Sequence, residues 1–202
     1  MKDVPLSKIL LVIVMSTLLF FSGFGMGLLI LKNQATKTQN LQEDIKTEIL
    51  GLEVEQELLL KNPCNLDSLR TLGEKLSNVE QRITVLNGKS GASSVQELKK
   101  IYAILEIKHW QLVQASVNEC NASYVPIFYF YSNVYCADCK SQGYVLSYVK
   151  ELHPNAMIYS FDSDVGFSLT ETLRKVLNAE GPVEQPTIVV GNQTLVGLQD
   201  SA

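Results

Sequence analysis

From Ile9 to Leu31 the chain carries no charged residue, and Lys8 and Lys32 bracket the run. At about 1.5 Å per residue, a helix of that length reaches across a hydrocarbon core of roughly 30 Å. The run therefore predicts a single-pass membrane anchor. A cleaved secretory signal would have an apolar region of only about 7 to 15 residues ending at a small-residue site. Here the run is longer, and Gly23, Gly25 and Gly27 make a weak site. Lys2 and Lys8 before the span and Lys32 and Lys37 after it barely bias its orientation. The cysteines break the tie: four of them, two far from the other pair, are easier to explain in an oxidising compartment. Residues 1–8 are thus expected in the cytoplasm, residues 9–31 as a signal-anchor, and the chain from about residue 33 outside the cytoplasm. A formal net charge of −4 without a basic cluster excludes nucleic acid as a partner.

Beyond the anchor, helical periodicity dominates as far as residue 120. Leu41, Ile45, Ile49, Leu52 and Leu59 fall on one stripe before Asn62-Pro63-Cys64-Asn65 stops the helix. Leu66, Leu69, Leu72, Leu76, Val79, Ile83 and Leu86 then recur at steps of three and four, with Asn65 as a cap. After the breaker cluster Asn87 to Gly91, Ser94 and Glu97 read as a capping box, and Val95, Leu98, Ile101, Tyr102, Leu105 and Leu112 supply a third apolar face. Residues 33–120 are thus expected as an extended helix followed by an antiparallel hairpin. The heptads also allow a coiled-coil homodimer through this region. Lys99 and Lys100 read as a solvated face.

Cys64 and Cys120 lie nearly equidistant from the breaker cluster, so folding the hairpin brings them together. A structural disulfide stapling its open end is the preferred reading. Two free thiols, or a second redox pair, are the alternatives.

From Tyr124 the pattern becomes α/β. Pro126 to Tyr131 is a buried strand candidate, followed by a helix from about Cys136 to Leu152 and a second strand from Ala156 to Phe161. A helix opening at Ser168, then Thr187 to Val190, the turn Gly191-Asn192 and Gln193 to Val196, complete a β-α-β-α-β-β order.

Cys136-Ala137-Asp138-Cys139 falls between the first strand and its helix. A thiolate is the nucleophile in disulfide exchange, and a helix N-terminus stabilises it through unpaired N–H groups and the positive end of the helix dipole. Cys136 is expected to attack; Cys139, one turn further in, is expected to resolve the mixed disulfide. The same spacing could be half of a zinc site, but a structural zinc site needs four ligands and neither His109 nor His153 completes a set. No metal or other cofactor is expected.

The run Tyr135-Cys136-Ala137-Asp138-Cys139-Lys140 on a helix, with Gln185-Pro186-Thr187 opening a later strand, resembles the thioredoxin superfamily over residues 122–202. That resemblance implies a thioredoxin-like α/β domain and a cis peptide at Pro186 facing the cysteines. It also implies a substrate-binding edge formed by Tyr135, Gln185 and Pro186. Proline tolerates the cis form at a cost of about 0.5 to 1 kcal/mol, which would leave the backbone of Gln185 free for an extended substrate. Tyr135 stands where tryptophan is common in the family, and Ala137-Asp138 replaces Gly-Pro, so the direction of electron flow does not carry over. The family's final covering helix has no counterpart before Ala202; truncation is the preferred explanation, with cover by the hairpin or a partner as the other. The function expected is a membrane-anchored thiol-disulfide oxidoreductase acting on protein thiols or disulfides beside a membrane redox partner. A redox-inert adaptor is the rival.

Overall fold

The structure, a computed structural model, describes residues 6–87, 92–179 and 181–200; for residues 6–9, 12, 29–31, 33–35, 38, 87 and 92–94 it describes the backbone alone. The breaker residues Gly88 to Gly91 therefore lie outside the described set. Among the described residues, five α-helices and four strands follow in the order α1 (Leu6–Leu59), α2 (Leu66–Asn87), α3 (Ala92–Cys120), β1 (Val125–Tyr131), α4 (Cys139–Leu152), β2 (Ala156–Asp162), α5 (Ser168–Val176), β3 (Thr187–Val190) and β4 (Gln193–Val196). The chain divides into two units, Met1–Asp44 and Ile45–Ala202.

In the first unit, α1 exposes Leu10, Leu11 and the large apolar side chains from Ile13 to Leu28. Thr17 and Ser22 turn their hydroxyls back onto the carbonyls of Val14 and Leu19, at 2.9 and 3.0 Å, which satisfies both groups within the helix. The expected anchor is corrected here: among the described residues no helix is long and apolar enough to cross a membrane.

The second unit comprises the end of α1, helices α2 to α5 and a sheet. Ile45, Ile49 and Leu52 of α1 are buried, as are the α2 residues from Leu69 to Leu86 at helical spacing. Ion pairs tie α1 to its neighbours: Glu55 to Lys75, Glu48 to Arg82 and Glu53 to Lys108. The Gln56 side-chain amide donates to the Leu105 carbonyl at 2.9 Å. Helix α3 begins at Ala92, which places Ser94 within its first turn, its side chain outside the described set.

The sheet order is β2-β1-β3-β4, with β1 and β2 parallel and the other two pairs antiparallel. Side chains alternate across a strand, and both faces of β1 are covered. Ile127, Tyr129 and Tyr131 join Ile158, Ile188, Leu146 and Val149, which places α4 on that face. Phe128 and Phe130 point to the other, where Trp110 of α3 meets Phe128 edge-on at 5.2 Å and the Arg174 guanidinium lies 5.3 Å from the Phe130 ring centroid. Helix α3 is therefore part of what covers the second face. Gly181 is required where it stands, because a Cβ there would come within 2.2 Å of Thr187 Oγ1.

These findings correct the expected fold class. The chain is not an α/β thioredoxin-like domain behind a membrane helix and a separate hairpin. It is predominantly helical, with one small four-stranded mixed sheet packed against the helices. No peptide bond among the described residues is cis, so Pro186 is trans.

Three polar groups sit on the apolar stripe of α3: Glu106, His109 and Ser116, all buried. The Leu69 carbonyl can only accept, so His109 holds its proton on Nε2, 3.3 Å away, and Nδ1 accepts from the Tyr159 hydroxyl at 3.1 Å. Burial lowers the His109 pKa to about 4. Glu106 Oε1 accepts from the Ser160 N–H at 3.0 Å and the Tyr102 hydroxyl at 3.2 Å, while Oε2 has no partner. Burial, with the nearby Glu80, raises the Glu106 pKa well above the usual range, and burial raises that of the half-buried Glu80 to about 7.

A stability trend follows. Between about pH 4.5 and 7 the folded state holds protons on Glu80 and Glu106 that the unfolded chain has released, so stability falls as pH rises. Each such proton contributes up to about 1.4 kcal/mol per pH unit, less for Glu80, which solvent screens. His109 opposes this below its unfolded pKa of about 6.5, because there the unfolded chain binds the extra proton. The net expectation is a denaturation midpoint that drops from pH 5 to pH 8, with the slope flattened in Glu106→Gln. Urea titrations of the two proteins across that range check it; parallel curves would contradict it.

Candidate active site

Strand β1 ends at Tyr131 and α4 begins at Cys139, so the C-x-x-C runs from the end of the connection into the first residue of the helix. Helix α4 starts later than the sequence suggests: Cys139 is its first residue, Asp138 its N-cap, and Cys136 stands ahead of the N-terminus. The physical reason lies at the cap. Asp138 makes no side-chain cap bond; its carbonyl accepts from the Gln142 N–H at 2.9 Å, which closes the first turn there and not earlier.

Cys136 and Cys139 are joined in a disulfide with Cα atoms 5.4 Å apart. Cys136 is half-buried while Cys139 is 4% exposed. An incoming thiolate thus meets Cys136 first. The Tyr129 hydroxyl, on the face of β1 toward α4, donates to the Cys139 carbonyl at 2.5 Å and fixes the inner cysteine against the sheet. Burial raises the Tyr129 pKa, so the phenol stays a donor.

The segment that leads to Cys136 is tied down by side chains. Ser132, 1% exposed, accepts from the N–H groups of Tyr135 and Val134 at 2.8 and 3.1 Å and donates to Asp164 Oδ1 at 2.6 Å. Asp164 Oδ2 accepts from the N–H groups of Asn133 and Val134 at 2.7 and 3.2 Å. Four polar hydrogens converge on two side chains here, leaving Val134 and Tyr135 exposed beside the disulfide.

The other expected site residues occupy the neighbouring end of the sheet. Thr187 pairs with Phe130, so Pro186 lies level with the end of β1. The Pro186 carbonyl accepts from the Gly197 N–H at 2.9 Å, and the buried Gln142 of α4 accepts from the Gln199 N–H at 2.7 Å. The 197–199 segment therefore bridges the first turn of α4 to Pro186. Gln185 is exposed, but its N–H already donates to the Pro182 carbonyl at 3.2 Å and is not free for a substrate strand. This corrects the expectation that a cis bond at Pro186 presents the Gln185 backbone.

Cys64 and Cys120 form the second disulfide, with Cα atoms 5.4 Å apart, closing the α2–α3 hairpin at its open end. All four cysteines are thus paired.

Several residues of this neighbourhood carry no motif. Ser132 and Asp164 look in the sequence like ordinary loop residues, and Gln142 like a polar helix residue; only the folded chain brings them to the cysteines. Lys99 is also corrected: it is not on a solvated face but bonds to Asp162 at 2.6 Å, with their side chains 17% and 4% exposed. Its spacing of four from Val95 was a usable signal. Comparison with known proteins adds no relative: no family model, curated protein or solved structure matches the chain.

Proposed function

We propose that the chain is a thiol-disulfide oxidoreductase that exchanges disulfides with protein thiols through Cys136 and Cys139. The observation that carries this reading is the asymmetry of the pair. A disulfide closes a three-residue step ahead of a helix N-terminus, its outer sulfur on a half-buried residue and its inner sulfur on a buried one.

The exchange uses only these two residues and the partner. A thiolate of a dithiol partner attacks Cys136 Sγ; the Cys136–Cys139 bond breaks, and Cys139 leaves as the thiolate. The partner's second thiolate then attacks its own sulfur in the mixed disulfide and expels Cys136 as a thiolate. Two electrons pass to the pair, and the partner leaves as a disulfide. Run backwards, the reduced pair opens a partner disulfide. The helix dipole and the free N–H groups at the start of α4 favour a thiolate on Cys136 in the reduced form. The Cys64–Cys120 bridge favours an oxidising, extracytoplasmic setting.

The test is turnover: the full-length chain should catalyse oxidation of a dithiol peptide by glutathione disulfide above the rate without protein. No acceleration in either direction, with insulin as the disulfide partner for the reverse, would remove the reading.

A further inference from the structure

Lys99 lies on α3, far in sequence from the cysteines, yet it starts a continuous hydrogen-bonded path to the Cys136 segment. Its Nζ bonds to Asp162 Oδ2 at 2.6 Å at the end of β2. The same Oδ2 accepts from the Asn133 side-chain amide at 3.0 Å, and Asp162 Oδ1 accepts from the Asp164 N–H at 2.9 Å. Asp164 in turn holds Ser132, Asn133 and Val134, and Ser132 holds Val134 and Tyr135. The residue after Tyr135 is Cys136.

We propose that Lys99 is a positioning residue for Cys136: through Asp162, Asn133 and Asp164 it holds the Ser132–Tyr135 segment that sets the outer cysteine ahead of α4. The proposal rests on the redox reading and adds to it a role for the helical hairpin. The hairpin does more than cover the sheet; it supplies the cation on which the site's loop is hung.

The physical argument concerns a carboxylate pair. Asp162 and Asp164 lie two residues apart, and Asp162 is almost fully enclosed. A buried carboxylate without a partner is costly, so it either takes up a proton or moves toward water. Lys99 removes that cost and leaves both Asp162 oxygens free to accept from the loop. Without it, Asp162 would give up its loop bonds to reach solvent, and Cys136 would lose its fixed place before the positive end of α4. An uncompensated negative charge would also lie nearer the sulfur. Both changes disfavour the Cys136 thiolate, so both stabilise the disulfide relative to the reduced pair.

The experiment uses the full-length chain with Lys99→Met, Lys99→Arg and, as control, the neighbouring Lys100→Met. Two quantities are read: the Cys136 thiol pKa in the reduced protein, by alkylation rate against pH, and the equilibrium constant of Cys136–Cys139 with glutathione. Lys99→Met should raise the thiol pKa and shift the constant about tenfold toward the disulfide, about 30 mV for a two-electron couple. Lys99→Arg should retain most of the parent values, and Lys100→Met all of them. A folded Lys99→Met with parent values overturns the proposal, as does an equal shift in Lys100→Met.

If Lys99→Met does not fold, Asn133→Ala decides, since Asn133 is exposed and loses only its amide link to Asp162. A smaller shift in the same direction supports the relay; parent values overturn it. Neither quantity depends on turnover, so the relay can fail while the enzyme reading stands, and the reverse.

Discussion

Serine at position 136 is expected to bring thiol-disulfide exchange by the full-length chain to the uncatalysed background, a loss on the order of 10³-fold or more, as for other nucleophiles whose removal stops the first chemical step. Serine at 139 should behave differently. Cys136 is half-buried and Cys139 buried, so Cys139→Ser keeps the attacking sulfur and loses the resolving one. It should therefore capture a substrate in a mixed disulfide that is released only by added thiol, and that adduct is visible by mass on a non-reducing gel. Equal turnover in the parent and Cys136→Ser would mean the pair is a structural clip. Capture by Cys136→Ser but not Cys139→Ser would reverse the order of attack argued from burial.

The second large effect concerns stability. Replacing both Cys64 and Cys120 by serine releases a cross-link with a sequence separation of 56. Chain-entropy bookkeeping for a loop of that length gives a loss of about 4 kcal/mol. In a unit the size of Ile45–Ala202 this corresponds to a fall in melting temperature of roughly 8 to 16 °C. The bridge joins the start of α2 to the end of α3, so its loss should fray the open end of the hairpin first. Hydrogen exchange should show early opening near Leu66 and Asn118, with the α4 amides protected as in the parent. The equilibrium of Cys136–Cys139 with glutathione should not move. A melting temperature within a degree or two of the parent would show that packing alone holds the hairpin.

How much of this could be read from the residues varies by element. The stripes of α2 and α3 are visible because aliphatic residues recur every three or four positions, and most of their members are core: Leu69 to Leu86 of α2 and Val95, Leu98, Tyr102, Leu105 and Leu112 of α3 are buried, while Leu66 is exposed and Ile101 half-buried. The β3–β4 hairpin is visible through Gly191, which takes the positive φ its turn needs. What the residues concealed is long-range. Nothing near Lys99 indicates that its partner is Asp162, because the contact depends on how α3 crosses the end of β2. Likewise Glu106 and His109 interrupt an apolar stripe in plain view, but their partners Ser160, Tyr159 and Leu69 come from other elements. Pro186 shows the opposite failure: a local sequence with a familiar look suggested a cis bond, and the chain holds it trans. The start of α4 falls later than the residues suggest for a local reason: Ala137 and Asp138 stand between Cys136 and the first helical residue, Cys139.

The central claim is that Cys136–Cys139 is a working redox couple and Cys64–Cys120 is not. Equilibrating the full-length chain across a graded series of thiol-disulfide buffers, then alkylating and weighing the cysteine peptides, tests it most directly. The prediction is a single two-electron transition of Cys136–Cys139 between about −270 and −120 mV, the span of known exchange catalysts, with Cys64–Cys120 still bonded throughout that span. Both bridges reducing together below about −300 mV, where structural disulfides lie, would contradict it.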